Sequence, residues 1–195
     1  MIRAPWKANS VILQDLLRYG DGGSLSAFVK HYALTPGFKF TVWLRATKAL
    51  KGTGVLLRPF YYFSRFLLHR CAVRYGIGIP YNTGIGPGLY IGHFGEIVVH
   101  NQTIIGRDCN INQGVTIGAR YGGKEPGVPV IGDRVYLAPG CKVIGGIQIG
   151  NDVAVGANAV VTKSVPERGV VVGIPGKIIS FKGSADYVIN TARDR

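Results

Sequence analysis

Aliphatic residues recur every six positions from Ile85 to about Pro166. Hexads open at Ile85 (IGPGLY), Ile105 (IGRDCN), Ile111 (INQGVT), Ile131 (IGDRVY), Leu137 (LAPGCK), Val143 (VIGGIQ), Ile149 (IGNDVA), Val155 (VGANAV) and Val161 (VTKSVP). A helix spaces its apolar positions three and four apart and a strand two apart, so a six-residue period suits neither alone. It fits a solenoid in which each hexad is a short strand plus a turn and three hexads close one coil. The opening residue points inward and stacks on its equivalent in the next coil. The fifth residue (Leu89, Cys109, Val115, Val135, Cys141, Ile147, Val153, Ala159, Val165) also points inward. Each coil relies on its neighbours to cover its core, and the Gly, Asn and Asp residues supply the turns.

The period breaks twice. The hexad at Ile91 (IGHFGEIV) is two residues too long, and the register resumes at Val99. The hexad at Ile117 runs on through Gly118 to Val130, eight residues beyond the repeat, before Ile131 restores it. Insertions in a solenoid become surface loops, where function concentrates; the plain alternative is drift in a loop. Before the repeats the pattern is helical. Ser10–Tyr19, Ser24–Leu34, Phe38–Lys51 and Leu56–Arg74 read as four helices, the first stopped by Gly20-Asp-Gly-Gly and the second ending before Pro36. The expected organisation is a helical region over 1–76, a repeat domain over 77–182 and a tail over 183–195, a mainly β chain with a small α-helical N-terminal region.

Charge divides along the same line. Of the net +13, residues 1–76 carry +10, from twelve Lys or Arg against two acids, while the remainder carries +3. In the helical region, arginine alternates with Phe, Tyr and Leu. Two readings follow: packing against the solenoid or a neighbouring subunit, or peripheral contact with an anionic membrane. Nucleic acid is not expected, since no motif for it is present. No apolar run reaches the roughly 20 residues of a spanning helix, and the N-terminus lacks the pattern of a signal peptide. Three cysteines, two of them at inward repeat positions, imply neither a disulfide framework nor a metal site and fit a reducing cytoplasm.

Among four histidines, His31 and His69 fall in the helical region and His100 at a coil corner, whereas His93 sits inside the over-long hexad. Imidazole is the side chain best suited to take a proton from a hydroxyl near neutral pH. Three hexads plus the two extra residues bring Ile111 over Ile91, so Asn112 and Gln113 lie one strand spacing from Gly92 and His93. Gln113 is a candidate to hold the imidazole and Glu96 a candidate to orient it, with a plain turn-forming role as the alternative for Asn112 and Gln113.

The hexads, the Gly92-His93 loop and the run Gly156-Ala-Asn-Ala-Val-Val-Thr-Lys-Ser-Val-Pro-Glu with Val172-Gly-Ile-Pro-Gly-Lys resemble the hexapeptide-repeat acyltransferases, nearest the serine acetyltransferase branch. That resemblance implies a left-handed parallel β-helix, a homotrimer with sites at subunit boundaries, acetyl-coenzyme A as donor, and direct transfer with His93 as general base. It also implies coenzyme A contacts at Ala138, Ala157, Thr162, Lys163 and Lys177, with Gly118 and Ala119 opening a loop over the thioester arm. The chain departs from the branch where serine is recognised. Gly92 stands where an aspartate precedes the histidine, a position near Gly78 lacks a second aspartate, and Gly127-Val128 replace an Arg-His pair. The pattern then resembles the acetyltransferases of capsule and lipopolysaccharide assembly. The implied acceptor is a sugar hydroxyl of a polysaccharide or its lipid-linked precursor, at the inner face of the cytoplasmic membrane. The alternatives are a serine acetyltransferase of cysteine synthesis, transfer to another small hydroxyl or amine, and a non-catalytic scaffold.

Overall fold

A computed structural model describes residues 8–191. The outer parts of the expected helical region and tail, residues 1–7 and 192–195, lie outside the described residues. Four helices come first: α1 (Ala8–Leu17), α2 (Leu25–Leu34), α3 (Pro36–Leu50) and, after a 3-10 turn at Val55–Leu57, α4 (Arg58–Tyr75). Ser24 caps α2, its hydroxyl accepting from the Ala27 amide at 3.1 Å. Proline sits in the first turn of both α3 and α4, where its missing N–H has no partner to lose. The helix starts differ from the sequence reading in two places. α3 begins at Pro36 rather than Phe38, with Thr35, the residue before that proline, held extended (φ −111°, ψ 100°), and the helix expected from Leu56 begins at Arg58, after the 3-10 turn. Gly76 ends α4 in the left-handed conformation (φ 61°).

The strands follow in chain order: β1 (Ile77–Gly78), β2 (Gly84–Ile85), β3 (Ile97–Val99), β4 (Ile104–Ile105), β5 (Asn110–Ile111), β6 (Thr116–Gly118), β7 (Val130–Ile131), β8 (Tyr136–Leu137), β9 (Lys142–Ile144), β10 (Gln148–Ile149), β11 (Ala154–Val155), β12 (Val160–Val161), β13 (Val170–Val172) and β14 (Lys177–Ser180). They form three sheets, ordered β1-β3-β6-β9-β12, β2-β4-β7-β10 and β5-β8-β11-β13-β14. Up to β13 every pairing is parallel. Each face of the prism is thus one stack of parallel strands, and the chain visits the three faces in turn, giving the left-handed parallel β-helix. β14 departs from the repeat by running antiparallel to β13.

The inward positions read from the hexads are all buried, from Ile85 and Leu89 through Val115, Leu137, Cys141 and Val153 to Val165. They form one continuous core, to which α3 and α4 add Phe40, Leu44, Leu68 and Cys71. Burial of this repeated apolar ladder is the main force holding the coils. The three cysteines are buried and free. In the β-helix, burial raises the thiols of Cys109 and Cys141 to about 12.

The helices are fastened to the first coil by polar groups. Asp15 accepts from Arg45 Nε at 2.8 Å and Nη2 at 3.1 Å, and from the amides of Gly88 and Leu89 at 2.8 Å each. Burial pushes its carboxyl up, and Arg45 and the two amides pull it back. Arg45 also donates to the carbonyls of Ile85 (2.8 Å) and Gly86 (2.6 Å). Arg18 donates to Gly88 O at 2.7 Å, Asn110 Oδ1 at 2.6 Å and Ile189 O at 3.0 Å. The last contact ties α1 to the C-terminal segment, which returns along the β-helix with Tyr187 stacked on Tyr136 at 4.7 Å. Sequence periodicity gave no sign of this return.

Candidate functional site

The over-long hexad forms a corner between Ile91 and Ile97. Its two ends are fixed. Tyr90 bridges Asn110 in parallel, which seats Ile111 over Ile91 as the coil count requires. At the far end the Ile97 amide donates to Gly76 O at 3.0 Å, and Gly95 O accepts from the Gly114 amide at 2.8 Å. Two residues of the helical region, Tyr19 just after α1 and Gly37 in α3, press on the start of the corner. The Tyr19 hydroxyl lies 3.3 Å from Ile91 O and 3.4 Å from Ile91 N. Gly37 of α3 approaches so closely that a Cβ there would stand 2.1 Å from Ile91 O, so only glycine fits. Between these anchors the surplus residues bulge outward, and His93, Phe94 and Glu96 are exposed.

Gly92 is constrained in a way the sequence did not reveal. A Cβ at this position would fall 2.8 Å from Tyr90 Cε1 and 3.0 Å from its hydroxyl. Tyr90 in turn packs against Tyr19, with ring centroids 4.7 Å apart, and Arg18 lies 5.8 Å over its ring. An acidic side chain before His93 would have to push the outer edge of the Tyr90 ring aside.

Beside the corner runs a groove of about 470 Å³, lined by Phe94, Gly95, Glu96, Gln113, Gly114, Pro139, Gly140, Ala157 and Asn158. The groove follows equivalent corners of successive coils, so the hexad turns supply its small residues. Gln113 reaches it from the coil below His93, but its Oε1 is buried without a hydrogen-bond partner, so it does not hold the imidazole. Glu96 also lines the groove, in the left-handed conformation (φ 52°). Asn112 turns away and donates to Leu137 O at 2.8 Å.

The residues expected to contact coenzyme A are divided. Ala157 lies in the groove just described and also in a second, of about 350 Å³, which Ala138 lines with Tyr136, Gly156 and Tyr187. Gly118 ends β6, pairing with Ile144, and Ala119 opens the extended loop. That loop doubles back as a small hairpin through an Arg120–Gly127 bridge and docks where the Gly146 amide donates to Glu125 O at 2.9 Å. Thr162 is half-buried after β12, while Lys163 and Lys177 are exposed and line neither groove. The other histidines have local roles or lie elsewhere. His31 bonds Asp21 and Thr35, His100 Nδ1 accepts from the Gln102 amide, and His69 is exposed on α4. Among the described residues no group of His, Cys, Asp and Glu could hold a metal ion.

The bacterial transferase hexapeptide (six repeats) family matches residues 129–163. The chain is 40% identical over 131 residues to a serine acetyltransferase of Mycobacterium tuberculosis, covering 66% of this chain and 53% of that protein. It is 36% identical over 150 residues to a serine acetyltransferase of Synechococcus elongatus, covering 76% and 59%. Among solved structures, the serine acetyltransferase of Neisseria gonorrhoeae in complex with serine superposes with a TM-score of 0.70 at 27% identity, covering 87% of this chain and 68% of that one. The Brucella abortus enzyme in complex with coenzyme A gives 0.70 at 26%, covering 88% and 67%. The chain thus spans between half and three-fifths of the length of these curated relatives. Their names point to serine, and the sugar acceptor expected from the sequence gains no support from them. The chain carries the hexapeptide repeats of the bacterial transferases, on the serine acetyltransferase-like branch.

Proposed function

We propose that the chain is an acetyl-coenzyme A-dependent O-acetyltransferase that works by direct transfer. One observation carries the reading: His93 is exposed on an anchored, outward-bulging corner whose next residues, Phe94 to Glu96, line a groove of small residues, in the fold of the serine acetyltransferases. As the acceptor oxygen attacks the thioester carbonyl, His93 takes its proton. The carbon–sulfur bond breaks, and the departing thiolate receives a proton from the imidazolium. The groove suits a slender arm, since Gly114, Gly140 and Ala157 leave it open. The roles of Gly118, Ala119, Ala138, Thr162, Lys163 and Lys177 toward the nucleotide, and a homotrimer that completes the site at subunit boundaries, belong to the same proposal.

Serine is the acceptor favoured by the relatives. A sugar hydroxyl is the second reading, favoured by the packing at Gly92, where the Tyr90 ring fills the space that an acid beside His93 would need. Thiol release from acetyl-coenzyme A separates the two: serine-dependent turnover supports the first, and turnover only with an oligosaccharide supports the second. His93→Ala should cut turnover by about 10²–10⁴-fold without changing the circular dichroism spectrum. Full activity in that variant would remove His93 as the base.

A further inference from the structure

The helical region carries a surface that the acyl-transfer reading does not use. α4 buries Ser64, Leu68 and Cys71 on one stripe and leaves Phe60, Tyr62, Phe63 and Phe66 outside. Phe60 is 61% exposed, Phe63 58% and Phe66 54%, and Leu56 in the preceding turn is 91% exposed. At 3.6 residues per turn, Phe60, Phe63, Arg70 and Arg74 fall within about 80° of one another, so the aromatic and cationic groups share a face. Arg70 and Arg74 also line a groove of about 610 Å³ against α2 and α3, with Tyr32, Lys39, Trp43 and Cys71.

Charge selects the partner. No aspartate or glutamate occurs between Asp21 and Glu96, a stretch that contains α2, α3, α4 and the first strands. A second copy seated face to face on α4 would bring arginine against arginine with no carboxylate from the same region to pair them, and such like-charge contact is unfavourable. An anionic lipid surface offers what the face lacks. Its phosphates meet the arginines and lysines, and its interface accepts phenylalanine and leucine. No helix among the described residues is long and apolar enough to cross a membrane, so the contact is with the surface.

We propose that α4 and the turn before it lie on an anionic phospholipid surface. Phe60, Phe63 and Leu56 enter the interface, and the groove formed by Lys39, Arg70 and Arg74 takes a headgroup phosphate. This inference is independent of the reaction catalysed. The test is flotation of the full chain with vesicles of phosphatidylglycerol and phosphatidylcholine, or of phosphatidylcholine alone. Binding is expected only with the anionic vesicles and should fall about tenfold or more between low and high salt, as screening of the arginines requires. Phe60→Ser with Phe63→Ser, both on exposed positions, should remove most binding, and Arg70→Gln with Arg74→Gln should weaken it and reduce its salt dependence. Absence of binding by the unaltered chain overturns the proposal. So does a fall in the solution mass of the serine variant, which would assign the face to contact between copies.

Discussion

The β-helix and the helices before it are held by different physics. In the coils the inward positions are apolar except for the buried Thr83 and Thr103, and Ile111, Leu137, Val143 and Val153 are fully enclosed in one ladder. At the join between helices and coils, the deepest groups include charges: Asp15 and Arg45 grip each other and the backbone of residues 85–89, and Arg18 spans from Gly88 to Ile189. Apolar burial is non-directional, so a ladder of it tolerates repetition and fixes spacing without fixing a partner. Hydrogen-bonded charges accept one geometry only and are costly when mispaired. The coils therefore build a rod, and the polar clamp decides where the helices sit on it. The seating matters for the site because Tyr19 and Gly37, carried by α1's C-terminal turn and by α3, touch Ile91, two residues before His93.

The contrast can be broken most severely at the clamp. Asp15→Ala leaves Arg45 buried without its carboxylate and should cost about 3–5 kcal/mol, read as a lowered thermal midpoint. Replacing Arg45 by Met in the same chain should restore part of it, because the unpaired charge is gone. A cost below about 1 kcal/mol for Asp15→Ala would mean that the clamp does not seat the helices. Inside the rod, Leu137→Ala should cost about 3 kcal/mol through lost burial and a cavity, whether or not the helices are seated. In chemical denaturation the two variants sharpen the comparison, since Asp15→Ala should loosen α1 and α3 before the coils unfold.

Smaller effects test each region by itself. Ser24→Ala removes the cap of α2 and should cost about 1 kcal/mol, seen as faster amide exchange confined to that helix. Thiol titration probes the rod. With burial holding Cys109 and Cys141 up at about 12, their thiolate fraction at pH 8 is negligible, and neither should react until the chain is unfolded. Rapid native labelling of either would show that the coils open locally.

Much of the rod was legible because its signal is local and repeated. Each hexad states its own inward positions, and the same count placed Ile111 over Ile91 through a corner two residues too long. The candidate site was legible in part. The break in the period marked His93, and the coil arithmetic brought Gln113 to the next coil. The same arithmetic could not foresee that Gln113 Oε1 would lie unpartnered, or that the Tyr90 ring would fill the space beside Gly92. Those depend on side-chain packing between Tyr19, Tyr90 and the α3 helix, for which no spacing rule exists. The helices were recognisable by their stops and prolines, but alternation of arginine with aromatics left open which face turned inward. In the structure α4 spends Leu68 and Cys71 on the core and leaves its phenylalanines outside.

The sequence by itself determined a three-sided coil, its register, its two interruptions and the single histidine placed within one of them. Periodicity is written into neighbouring residues and needs no distant partner to be read. Only the tertiary structure decided the seating of the helices, the return of the tail across Tyr136 to Arg18, and the packing of the Tyr90 ring beside Gly92. Each of these joins residues far apart in the chain, up to 171 positions for Arg18 and Ile189, and such contacts leave no local pattern because either partner alone is an ordinary surface residue until the other arrives.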